Sequence, residues 1–91
     1  MPEYIMIETE ATDDPDVLLI QTNLRLSEQP EDYDDPASGE AGSPLAQTLF
    51  AIEGITALSL DEDTLLVTRA PETEWFILID EINAALKDFF L

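Results

Sequence analysis

Ser43-Pro44-Leu45-Ala46-Gln47-Thr48-Leu49-Phe50-Ala51-Ile52-Glu53-Gly54-Ile55 spells a short helix with both ends marked, followed at once by the first residue of a strand. Ser43 offers a side-chain oxygen to the free amides of a first helical turn, and Pro44 sits where a missing N–H costs nothing. Leu45, Leu49 and Ile52 fall on one face, with Ala46 and Phe50 beside them. Gly54 supplies the left-handed stop. A helix this short depends on packing against a sheet. Ile55-Thr56-Ala57-Leu58-Ser59-Leu60 and Thr64-Leu65-Leu66-Val67-Thr68 provide it, two β-rich runs joined by the acidic turn Asp61-Glu62-Asp63. Runs this close in sequence pair as an antiparallel hairpin.

Downstream, Pro71, Glu72 and Glu74 mark the start of a last helix, because carboxylates favour the positive end of the helix dipole. Trp75, Leu78, Ile79, Ile82, Leu86 and either Phe89 or Phe90 recur at helical spacing, which predicts an apolar stripe lying on the sheet with Trp75 as a core anchor. Phe89 and Phe90 are neighbours and cannot both face inward, so one is exposed. Upstream, Tyr4-Ile5-Met6-Ile7-Glu8-Thr9 reads as a first strand and Val17-Leu18-Leu19-Ile20 as a second, with a weak continuation to Leu26. Between them, Thr12-Asp13-Asp14-Pro15-Asp16 is a turn built of side chains that bond their own backbone. Residues 27–42 hold six acids, two prolines and two glycines, with no aliphatic residue larger than Ala. They predict a long, mobile acidic loop. The expected fold is thus α+β: one domain over residues 1–91, a two-layer β-β-α-β-β-α sandwich. Its mainly antiparallel four-stranded sheet carries both helices on one face.

Composition narrows the chemistry. The 91 residues are 45% apolar, enough for one packed interior. Twenty-one acids against Arg25, Arg69 and Lys87 give a net charge of −18. Nucleic acid needs clustered cations to displace its counterions, and anionic membranes need the same, so neither is an expected partner. No apolar run reaches membrane-spanning length, and Met1-Pro2-Glu3-Tyr4 lacks a basic leader, from which a cytoplasmic location is expected. The sequence contains no Cys and no His. The usual donors for iron–sulfur clusters and structural zinc are therefore absent, as are a Cys nucleophile and a His base. No catalytic, metal-ligating or cofactor-binding residue is assigned, and a monomer without enzymatic activity is expected.

The helix motif Ser43-Pro44-Leu45-Ala46, together with Leu49-Phe50, Ile52, Gly54-Ile55, Val67-Thr68-Arg69 and Glu74-Trp75, resembles the N-terminal domain of Nfu/NifU-type iron–sulfur cluster scaffold proteins. The likeness runs from about Tyr4 to Phe89. Thr12-Asp13-Asp14-Pro15-Asp16 occupies the place of the family's Thr-Pro-Asn-Pro-Asn turn, with Asp13 for Pro and with Asp14 and Asp16 for Asn. In full-length relatives a second domain bearing Cys-X-X-Cys follows. The resemblance therefore implies a stand-alone module that docks with iron–sulfur assembly or recipient proteins and holds no cluster itself.

The expected interaction surface joins Thr12, Asp13, Asp14, Pro15 and Asp16 to the helix start at Ser43 and Pro44, since loops and helix starts carry free backbone donors. The local acids favour a basic protein or peptide. Two alternatives remain: a carboxylate-based metal-ion binding protein, or an acidic protein that occupies a basic partner surface. Glu31-Asp32-Tyr33-Asp34-Asp35 has superficial likeness to a calcium loop, but Pro36 and the missing sixth-position Gly argue against one.

Overall fold

In the computed structural model, which describes residues 5–90, the hairpin read from the sequence forms the middle of the sheet. Strands β1 (Ile7–Ala11), β2 (Val17–Thr22), β3 (Ser27–Tyr33), β4 (Ile55–Glu62) and β5 (Thr64–Arg69) lie in the order β1-β2-β5-β4-β3. Every pairing is antiparallel. Alternation fixes which side faces the helices. Ile20, Leu65 and Leu60 stand in one cross-strand row, and Leu18, Val67 and Leu58 in the next.

The three helices are α1 (Pro36–Glu40), α2 (Pro44–Phe50) and α3 (Trp75–Phe90). Leu45 and Leu49 of α2 and Leu78, Ile82 and Leu86 of α3 share one buried cluster with Ile20, Leu58, Leu60, Leu65 and Val67, and Leu18 packs half-buried against it. Burial of each such side chain stabilises the fold by about 2 kcal/mol, so the two amphipathic stripes and the sheet hold one another in place. As read from the sequence, Ser43 caps α2, its Oγ accepting from the Ala46 N–H at 3.3 Å. The helix ends at Phe50 with Ala51 as its right-handed C-cap, short of Ile52, and Gly54, expected to stop it, takes φ 102° in the turn that leads into β4. Phe90 is half-buried and Phe89 is 42% exposed, as their adjacency requires.

Residues 27–42 are the main correction to the expected architecture. They form β3 and α1 instead of a loop, so the sheet has five strands and there are three helices. After β2 the chain crosses the turn end of the central hairpin. The Thr22 N–H donates to the Asp63 carbonyl at 2.9 Å and the Leu26 N–H to the Glu62 carbonyl at 2.6 Å. Leu24 and Leu26 are buried in that crossing rather than extending β2. β3 then pairs with β4 through Glu31↔Leu60, Asp32↔Ser59 and Tyr33↔Leu58, after an irregularity between Ser27 and Glu31. Asp35 and Ser38 make a reciprocal capping box that starts α1, with the Ser38 N–H donating to Asp35 Oδ1 at 2.8 Å. Gly39 lies under the Phe50 ring, where an added Cβ would come within 2.0 Å of a ring carbon. Two smaller differences concern ends. The first strand begins at Ile7, and Tyr4, expected to open it, lies outside the described residues. The last helix begins at Trp75, not Pro71, because the Thr73 N–H closes a turn onto the Ala70 carbonyl first.

Candidate functional site

The turn at residues 12–16 is tied down locally and then clamped from a distance. The Thr12 hydroxyl accepts from the Asp14 N–H at 3.2 Å and donates to the Val17 carbonyl at 2.8 Å. Asp14 Oδ1 accepts from the Asp16 N–H at 2.9 Å, the local bonding expected of Asp in a turn. From the far end of β5, the Arg69 N–H donates to the Asp16 carbonyl at 2.8 Å and Arg69 Nε pairs with Asp16 Oδ1 at 3.1 Å. Arg69 also donates through Nη1 to the Thr73 carbonyl at 2.9 Å, and its guanidinium lies 5.0 Å from the centre of the Trp75 ring. The Trp75 indole N–H completes the clamp by donating to the Pro15 carbonyl at 2.9 Å. Asp13, Asp14 and Pro15 stay exposed on this fixed base.

Ser43 and Pro44 lie elsewhere. The turn joins β1 to β2 at one edge of the sheet, whereas the Ser43 N–H donates to the Tyr33 hydroxyl, on the opposite edge strand, at 3.3 Å. The expected single surface is thus two places. Around Ser43, the Tyr33 hydroxyl and the Ser27 hydroxyl, the latter at 2.7 Å, both donate to the Glu31 carboxylate. Burial pushes the Glu31 carboxyl up, but the hydrogen bonds from Tyr33, Ser27 and Ser43 outweigh it and hold the group below its ordinary value. An open cleft of about 690 Å³ runs beside this network, with Arg25, Glu28 and Glu31 on its walls. Glu31 and Tyr33 belong to a strand and Asp35 caps a helix, so the sequence with superficial likeness to a calcium loop is not a loop. Among the described residues no group of three or more acidic, Cys or His side chains is placed to hold a metal ion.

Trp75, expected as a core anchor, is half-buried against the core, while the two residues after it turn outward. Phe76 is 68% exposed and Ile77 47%. The signal was present: Trp75-Phe76-Ile77-Leu78-Ile79 is an unbroken apolar run, too wide for one face of a helix.

Residues 7–91 match the family model described as "Scaffold protein Nfu/NifU N terminal". The chain is 31% identical over 87 residues to a Drosophila persimilis protein named "NFU1 iron-sulfur cluster scaffold homolog, mitochondrial", a match covering 94% of this chain and 31% of that one. It is 29% identical over 86 residues to an Arabidopsis thaliana protein named "NifU-like protein 4, mitochondrial", with 94% and 30% covered. The chain therefore spans about a third of the length of these curated relatives. A solution structure of a NifU-like protein from Saccharomyces cerevisiae superposes with a TM-score of 0.76 at 19% identity, over 97% of this chain and 82% of that one. The crystal structure of SAV1430 from Staphylococcus aureus does so at 0.70 and 13% identity, over 91% and 98%. At those identities the two superpositions show the fold. The cytoplasmic location expected from the first residues is overturned by the relatives' names, which point to mitochondria, and the lack of a basic leader in this stretch carries no information about compartment. With the family model matched over nearly the whole length and the β-β-β-α-α-β-β-α order seen in the structure, the chain belongs to the N-terminal domain family of Nfu/NifU scaffold proteins.

Proposed function

We propose that this chain is a non-enzymatic docking module that meets iron–sulfur assembly or recipient proteins through its surface and leaves the cluster to groups on the partner. One observation carries the reading: a member of a scaffold family whose sequence has neither Cys nor His. Carboxylates are poor substitutes, since cluster iron is held by thiolates with imidazole as the usual replacement. The rigid turn at residues 12–16 supports a docking role, because its exposed acids are presented from a base held by Arg69 and Trp75. Residues 1–91 act as one unit in this reading. The test is a titration of isotope-labelled chain with a purified Nfu-type scaffold bearing the Cys-X-X-Cys domain. Saturable amide shifts confined to one face are expected. An unchanged spectrum at millimolar partner, across scaffold and recipient proteins alike, would refute it.

A further inference from the structure

Phe76 and Ile77 follow Trp75 in the first turn of α3 and expose the most apolar surface of that helix. The helix cannot rotate to hide them. Leu78, Ile82 and Leu86, all fully buried, commit the opposite side to the core. The same first turn is pinned through Trp75, bonded to the Pro15 carbonyl and lying beneath Arg69. Helical spacing sets Asp80 one turn beyond Phe76 and Glu81 one turn beyond Ile77, both exposed. Glu72 and Glu74, also exposed, stand ahead of the helix. Two large apolar side chains are thus held outward on a rigid element between carboxylates at either end.

We propose that Phe76 and Ile77 anchor a docking surface for a cationic amphipathic segment of a protein partner. The segment seats an apolar side chain on the pair and sets Lys or Arg against Asp80 and Glu81. This rests on the docking reading above and names the face that performs it. Charge selects the occupant. A chain of net charge −18 repels a second copy of itself and an anionic bilayer, and draws in a cationic segment. The apolar pair then supplies the affinity and the carboxylates the register and the rate of encounter.

The probe is a synthetic amphipathic peptide with Leu on one face flanked by Lys, titrated into isotope-labelled chain. Saturable amide shifts are expected over residues 72–81 and in the turn at residues 12–16 bonded to Trp75. Phe76→Ala should weaken binding about tenfold while leaving the thermal midpoint near that of the wild type, because the ring is exposed. Replacing the peptide's Leu by Ser should weaken binding as much, and replacing its Lys by Glu should abolish it. Equal binding by Phe76→Ala, equal binding by the Ser peptide, shifts scattered over all acidic residues, or no binding would each overturn the proposal. So would concentration-dependent shifts at Phe76 and Ile77 without peptide, which would give the pair to self-association. Shifts gathered at the Ser43 and Glu31 cleft would remove this surface and leave the docking reading standing. That reading falls only if the scaffold and recipient proteins fail to bind as well.

Discussion

Arg69 joins three groups: the Asp16 carboxylate, the Thr73 carbonyl and the Trp75 ring. Arg69→Ala should cost about 1–3 kcal/mol in a denaturant melt. Arg69→Lys should recover only part, because an ammonium cannot span both oxygens and the ring face. A midpoint unchanged by either variant would remove the clamp from the account. Its members were individually visible in the sequence, but not their meeting. Asp16 and Arg69 are 53 positions apart and Pro15 and Trp75 are 60 apart, and neither separation leaves a periodic trace. Glu31 makes a second residue-scale prediction. Its folded-state value lies below the ordinary 4.5, so its contribution is complete above that value and is lost as pH falls through the lowered one. Glu31→Gln should therefore lose stability near neutral pH, and the gap to the wild type should narrow in acid. A gap that stays constant with pH would show that the hydrogen bonds do not favour the charged form.

Element by element, legibility followed local chemistry. The start of α2 was readable because Ser43 and Pro44 mark it and its apolar spacing is regular, whereas its end was read too late: the helix stops at Phe50, with Ala51 as its C-cap. β3 and α1 were not readable, because they carry few apolar side chains and look like loop by composition. Their order comes from Tyr33 packing edge-on to Phe50, with ring centres 6.1 Å apart, and from the Asp35–Ser38 capping box. Gly39 and Gly42 read as loop residues, yet each lies against an aromatic ring that a Cβ would strike. Gly39→Ala should cost about 1–3 kcal/mol, since overpacking must displace Phe50 or α1. Amides of Glu31 and Tyr33 should be slow to exchange with deuterium. Exchange at the rate of an unstructured chain would restore the mobile loop and remove the fifth strand. The turn at residues 12–16 was legible as local structure from its residue types. The partnership expected with Ser43 does not form, because the strand order places the two on opposite edges.

For the whole molecule, the net charge of −18 is set against one buried cluster and few cations. Like-charge repulsion should make the melting temperature rise with added salt, as the Debye length falls from about 10 Å at 0.1 M to about 3 Å at 1 M. A midpoint indifferent to salt would show that the carboxylates are spaced widely enough to ignore one another. The chain belongs to the Nfu/NifU scaffold N-terminal family, and its sequence holds neither thiolate nor imidazole donors. The most direct measurement is anaerobic gel filtration of this chain mixed with a cluster-loaded Nfu-type scaffold, with iron and sulfide determined in each fraction. The account predicts co-elution, with iron and sulfide tracking the scaffold and none retained by this chain when the two are separated in high salt. Recovery of this chain alone with a stoichiometric cluster would contradict it.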